Sequence, residues 1–147
     1  MLNVNELSGF GAGGDNLPVS ASWKLTFAGG TYLFAREIEM RGVSGGPDLC
    51  SGGVATGATT FYLTPDAAFD NDVGSPYGIS GTDPTRYMGY NFAAPVSVAE
   101  IAYTEYEGSS PTEITLWYLN SLSVWVALKT WPGLTWTGAP ETKILTI

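Results

Sequence analysis

Histidine is absent from this chain of 147 residues, and cysteine occurs once, as Cys50. A single cysteine excludes an intrachain disulfide and a zinc site built from several thiolates. The lack of histidine removes the most usual transition-metal ligand and the commonest general base. Any bound metal would therefore be a hard cation with oxygen ligands, and an enzyme is not expected. Cys50 itself is expected to be a small buried apolar side chain.

Positive charge is also scarce, with 6 Lys and Arg against 14 Asp and Glu and a net charge of −8. A surface this acidic repels nucleic acid and anionic membranes, so neither is expected as a partner. No apolar run approaches the roughly 18 residues of a membrane helix, and no charged-then-apolar leader opens the chain. We expect one domain without membrane insertion or a signal peptide, made in the cytoplasm.

What the chain does contain is 19 Gly, 9 Pro and 13% aromatic residues, a composition typical of short strands joined by turns. Trp23, Leu25 and Phe27 alternate with polar residues, which predicts a strand ending at the turn Gly29-Gly30. The stretch 32–41 fits either a strand or an amphipathic helical turn. Five further β-patterned runs cover residues 87–92, 96–106, 113–119, 123–131 and 142–147. Together they predict an all-β antiparallel sandwich of the jelly-roll type.

The first 21 residues lack such patterning and contain Gly9, Gly11 and Gly14 in the spacing G-x-G-x-x-G. This motif binds phosphate only between a strand and a helix, and neither pattern flanks it here. We interpret residues 1–21 instead as an extended Gly-rich arm.

The arm carries apolar side chains that could dock into a groove on a neighbouring protein, with glycines that let the backbone lie flat beside it. The predicted anchoring residues are Leu7, Phe10, Gly11 and Gly13.

From Trp23 onward the chain resembles the discoidin, or coagulation-factor type C, domain, a galactose-binding-like jelly roll. The matching stretches are WKLTFAGGTY, AREIEMRG, DAAFDND, RYMGYNFAAPVSVAEIAY, SVWVALKTW and KILTI. More narrowly, AREIEMRGVSGGPDLCSGG followed by AAFDND is similar to the version found in tailed-bacteriophage virion proteins, where an arm of the LxGFGAGG type often precedes it. The resemblance covers residues 22–147.

This resemblance implies a non-enzymatic accessory structural protein of a virion, such as a head-decoration, head-fibre or tail-associated protein. Its arm would contact other virion proteins, and its sandwich would serve adhesion to host-surface glycan, within a homo-oligomeric assembly. A glycan-binding lectin domain is the alternative. A glycosidase with paired carboxylates ranks third, because Glu37 and Glu39 are expected to pair with Arg36 and Arg41 instead.

The resemblance also implies a structural calcium site in the loop DAAFDND. Its oxygen ligands would come from Asp70, Asp72 and Ser75, with Glu141 as a further ligand. The alternative is that Asp70 accepts hydrogen bonds from the backbone of its own loop while Asp72 is solvated.

Aromatic residues near the turns, together with one arginine, suggest a glycan platform of Tyr77, Arg86, Tyr87 and Trp131. Rings stack on sugar faces, and Arg binds hydroxyls or carboxylates. Tyr77 stands where the family usually has a packed Trp, which favours a structural role for it. Trp23, Trp117 and Trp125 are expected to build or cover the core.

Overall fold

The computed structural model describes residues 16–30, 32–58, 60–80, 86–106, 110–138 and 140–147. These residues form two five-stranded antiparallel sheets packed against each other, which confirms the predicted all-β sandwich. In the described residues no helix is long and apolar enough to cross a membrane. The predicted anchoring residues Leu7, Phe10, Gly11 and Gly13 lie outside the described part of the chain.

The strands of each sheet are drawn from distant parts of the sequence, as in a jelly roll. The first sheet has the spatial order β3 (Val54–Gly57), β6 (Tyr87–Ser97), β1 (Val19–Ala28), β8 (Glu113–Leu119) and β9 (Trp125–Pro132). The second has the order β10 (Thr142–Thr146), β7 (Glu100–Glu105), β2 (Tyr32–Arg41), β5 (Tyr77–Ser80) and β4 (Thr60–Tyr62). A single 3₁₀ turn, Pro65–Ala68, lies between β4 and β5 along the chain.

Strand β1 has the predicted alternation, with Trp23 and Leu25 fully buried between the sheets. Lys24 and Thr26 lie on the opposite, outer face of the first sheet, because successive side chains of a strand point to opposite sides. The strand begins at Val19, a few residues before the predicted start of the sandwich.

The stretch 32–41 is strand β2 and not a helical turn. A β-bulge between Ala35 and Glu37 inserts one extra residue, so the buried side changes from Leu33 and Ala35 to Ile38 and Met40. This interruption of the period-2 pattern explains why the sequence was compatible with helical spacing.

The core lies between the two sheets and is closed by apolar side chains of the 3₁₀ turn. Ala67, Ala68 and Phe69 belong to it. The largest fully buried side chains are Trp23, Tyr77, Tyr103, Leu25, Leu33, Ile38, Met40, Ile79, Met88, Ile101, Ile114 and Leu116.

Candidate functional site

The loop predicted to bind calcium uses its carboxylates to stabilise its own backbone. The Asp72 N–H donates to Asp70 Oδ1 at 2.8 Å, and the Gly74 N–H donates to Asp72 Oδ1 at 2.8 Å. Both aspartates are exposed, and Ser75 follows them with its N–H directed at the Asp72 carbonyl. These bonds are the local turn interactions expected of Asp in loops.

Glu141, the fourth predicted ligand, makes its contacts just before β10. Its carboxylate accepts hydrogen bonds from Lys143 Nζ at 2.6 Å and from the Thr137 N–H at 2.7 Å. The bond from Lys143 contributes most to holding the pKa of Glu141 below its usual value. Across the part of the chain that the structure describes, no group of three Asp, Glu or Cys side chains is arranged to hold a metal. Calcium binding stays a prediction.

A buried carboxylate that the sequence did not single out lies beneath this loop. Glu37 is only 3% exposed, and among the described residues neither of its oxygens has a hydrogen-bond partner of good geometry. Burial, followed by the nearby charges of Asp70 and Asp48, raises the pKa of Glu37 to about 8, although the backbone of Asn71 acts in the opposite direction. The side chain is therefore largely protonated at neutral pH.

The expected ion pairs around Glu37 form only in part. Arg41 pairs with Glu39 at 2.6 Å and with Glu100 at 2.9 Å. Arg36 instead donates to the Val73 carbonyl at 2.6 Å, which ties β2 to the loop before β5.

Two of the four residues predicted to bind glycan are buried and make structural hydrogen bonds. Tyr77 is fully buried, and its hydroxyl donates to the Ala58 carbonyl at 2.7 Å. Arg86 is 8% exposed and donates to the carbonyls of Gly30 at 3.0 Å and Gly29 at 3.3 Å. Tyr77 thus has the packed role that its family position implied, and Arg86 fixes the turn between β1 and β2.

The other two residues lie on different parts of the sandwich. Trp131, on β9, packs against the core and donates from Nε1 to the Thr146 carbonyl at 3.1 Å. Tyr87 begins β6 and pairs with Thr26 of β1, so it lies on the outer face of the first sheet. The structure does not bring the four predicted residues together on one surface.

Tyr87 does, however, belong to an aromatic cluster centred on Lys24, here called the Lys24 face. The Lys24 ammonium lies 4.3 Å from the ring centroid of Trp125, 5.6 Å from that of Tyr87 and 5.8 Å from that of Trp117. These are cation–π distances. One lysine is thus surrounded by three aromatic rings from three other strands.

The register of the sheet holds these side chains in place. Lys24 pairs with Trp117 of β8 on one side and with Gly89 of β6 on the other. Trp117 donates from Nε1 to Thr26 Oγ1 at 2.8 Å, which fixes its indole. A Cβ at Gly89 would lie 3.0 Å from Lys24 Cβ and 3.0 Å from Thr56 Oγ1, so glycine leaves room beside the lysine.

The charge of Lys24 is not compensated by a carboxylate within the described residues. The salt bridges formed there use Arg41 and Lys143. Partial burial lowers the pKa of Lys24 from its usual value, because removal of water disfavours the charged form.

Sequence reasoning assigned Trp117 and Trp125 to the core, whereas the structure places them on the outer face. The signal was present in the alternation of β8, since Ile114 and Leu116 are fully buried and Trp117 must therefore point outward. Trp125 pairs with Leu119, which shares the outer face with Trp117. Trp23, by contrast, is fully buried as predicted.

Comparisons with protein-family models, with curated proteins and with solved structures gave no match. The resemblance to discoidin domains therefore stays a prediction from the sequence.

Proposed function

We propose that this chain is a non-enzymatic binding protein that serves as an accessory structural component of a bacteriophage virion. The observation that carries the binding role is the Lys24 face, where three rings surround one lysine on a sheet. Aromatic side chains on strands offer a large contact area that loses little conformational freedom on binding. The virion role is supported by the resemblance of the sequence to phage discoidin-like modules and by its Gly-rich first 21 residues.

In this proposal the first 21 residues attach the protein to the particle, and the sandwich is displayed outward. Deleting residues 2–18 tests the attachment, because β1 begins at Val19 and is left intact. We expect the shortened protein to be lost from particles, measured as copies per purified virion. Normal occupancy of the shortened protein would refute the attachment role.

A single substitution isolates the anchoring contact. Phe10→Ala should abolish association with particles while the melting temperature stays unchanged. Asn5→Ala, in the same segment, is the matched control and should keep normal occupancy. Copies per particle would also give the symmetry of the assembly.

The Lys24 face favours a second candidate function, a glycan-binding module that acts without particle attachment. A glycan-array screen with and without calcium separates the two candidates. Selective glycan binding by a protein that never co-purifies with particles would favour the second. Calcium-dependent binding would in addition support the predicted ligands Asp70, Asp72, Ser75 and Glu141.

A further inference from the structure

We propose that the Lys24 face binds an acidic saccharide, with Lys24 paired to a carboxylate of the ligand and the surrounding rings stacked on its sugar units. This inference rests on the proposed binding role and specifies the class of ligand for it.

The electrostatic setting of Lys24 favours an anionic group. The ammonium is partly withdrawn from water among rings, and no carboxylate in the described residues forms an ion pair with it. Its neighbours on the same outer face, Ser22, Thr26 and Gly89, are uncharged. A ligand carboxylate would supply the missing counter-charge through a charge-assisted hydrogen bond, which is stronger than a neutral one.

The spacing of the rings fits a ligand that crosses the strands. Tyr87, Lys24, Trp117 and Trp125 belong to β6, β1, β8 and β9, which are consecutive in the sheet. Since neighbouring strands lie about 4.8 Å apart, the row extends about 14 Å. It runs diagonally, because Tyr87 is level with Thr26 while Trp125 is level with Leu119. A short oligosaccharide would span such a row.

The position of the cluster also favours a saccharide over an acidic peptide. Extended peptides commonly bind by adding a strand to an open sheet edge. The strands β6, β1 and β8 are each paired on both sides, so their backbones have no open edge to offer. Recognition at the Lys24 face must use side chains, and the polar ones beside it, such as Thr56 and Asn91, suit sugar hydroxyls. The net charge of −8 further favours a ligand with few carboxylates over a polyanion.

The test compares ligands that differ only in their acid groups. Trigalacturonate is titrated against its methyl ester, and sialyllactose against lactose, by calorimetry and by the indole N–H shifts of the tryptophans. We expect at least one acid form to bind the full-length protein tenfold or more tightly than its neutral counterpart. The perturbed indole signals should be those of Trp117 and Trp125.

Variants assign the effect to named groups. Lys24→Gln should remove the preference for the acid form, and Trp125→Ala should weaken both forms. Lys129→Gln, which changes an exposed lysine of β9, should leave the preference intact. Far-UV circular dichroism and urea unfolding establish that each variant is folded; Lys24→Gln changes a partly exposed side chain and decides the matter if Trp125→Ala does not fold.

Three outcomes would overturn the inference. They are equal binding of acid and neutral forms, no binding of either acid form, and displacement of the saccharide by a hexaglutamate peptide at equal or lower concentration. None of them depends on residues 1–21. Failure at the Lys24 face and failure of particle attachment are therefore distinguishable.

Discussion

At the scale of single residues, the most unusual group is Glu37, a carboxyl buried beside two other acids. Its pKa of about 8 is caused first by burial and then by the charges of Asp70 and Asp48, with a smaller contribution from Glu39. A carboxylic acid that keeps its proton on folding makes the folded state sensitive to alkaline conditions.

Glu37→Gln is expected to flatten the pH dependence of stability. In the unfolded chain the carboxyl ionises near pH 4.3, whereas in the folded protein it keeps its proton up to about pH 8. The free energy of unfolding of the wild type should therefore fall as pH rises from about 5 to about 8. At pH 8 the variant should be more stable than the wild type by about 1–2 kcal/mol, after allowance for screening by water near the exposed loop.

Urea unfolding at pH 5, 6, 7 and 8 measures this effect. Glu39→Gln is the control, because Glu39 is partly exposed and already paired with Arg41. Parallel stability curves for the wild type and Glu37→Gln would show that the carboxyl is charged in the folded state.

The burial of Glu37 could not be predicted from its neighbours in the sequence. Arg36 adjoins it and Glu39 follows two residues later, which suggested ordinary surface ion pairs. Its environment is created by Asp48 and by residues 70–71, which the fold brings over β2 from other parts of the chain. The positions of Trp117 and Trp125, in contrast, followed from strand alternation alone once the inner face of β8 was assigned.

At the scale of elements, one buried carboxylate joins β7, β2 and the turn that follows β2. Glu100 is 1% exposed and accepts hydrogen bonds from Ser44 Oγ at 2.6 Å, from Arg41 at 2.9 Å and from the Gly45 N–H at 3.0 Å. These donors, Ser44 foremost, hold the pKa of Glu100 below its usual value.

Glu100→Gln is expected to cost about 2 kcal/mol of stability at pH 7, because the neutral amide loses charge-assisted bonds and leaves Arg41 less well paired. A lowered pKa stabilises the fold above the ordinary carboxyl pKa, and this contribution is lost as pH falls through the lower folded value. The wild type and the variant should therefore converge in urea unfolding near pH 3. Glu113→Gln, on β8, should show no such convergence, and a constant difference at all pH values would argue against the role of charge.

The element boundaries show where sequence patterns fail. The runs 87–92 and 96–106 were predicted as separate strands, yet β6 continues to Ser97 and the break falls between it and Glu100. Pro95 lies within β6 close to its irregular pairing with β1, where the register shifts between Ser20 and Ser22. A bulge can admit proline in a strand, and such a bulge depends on the partner strand and not on the local sequence.

At the scale of the whole molecule, the sandwich could be predicted because its two-sided strands carry the period-2 pattern in most runs. The order of strands could not, since β1 pairs with β6 and β8 from the second half of the chain. The loop sites depended on this order. That is why Tyr77, Arg86, Tyr87 and Trp131 were expected together although they lie on separate parts of the fold.

Deletion of residues 2–18 should leave the sandwich folded. Among the described contacts, the deletion removes the Pro18 carbonyl, which accepts a hydrogen bond from Ser97 Oγ at 3.1 Å. Loss of one partly buried hydrogen bond costs about 1 kcal/mol, which for a domain of this size lowers the melting temperature by roughly 2–4 °C. Thermal unfolding followed by circular dichroism checks this value. A drop of more than about 10 °C would mean that the first residues contribute to the fold itself.

The single cysteine supplies a built-in probe of motion in this protein. Cys50 is 4% exposed in the segment after β2, its N–H donates to Asp48 Oδ1 at 3.0 Å, and burial raises the pKa of its thiol. A thiol reagent can then react only in those moments when the segment opens. The rate of labelling, measured without any engineered cysteine, reports how often the wild-type sandwich opens beside Glu37.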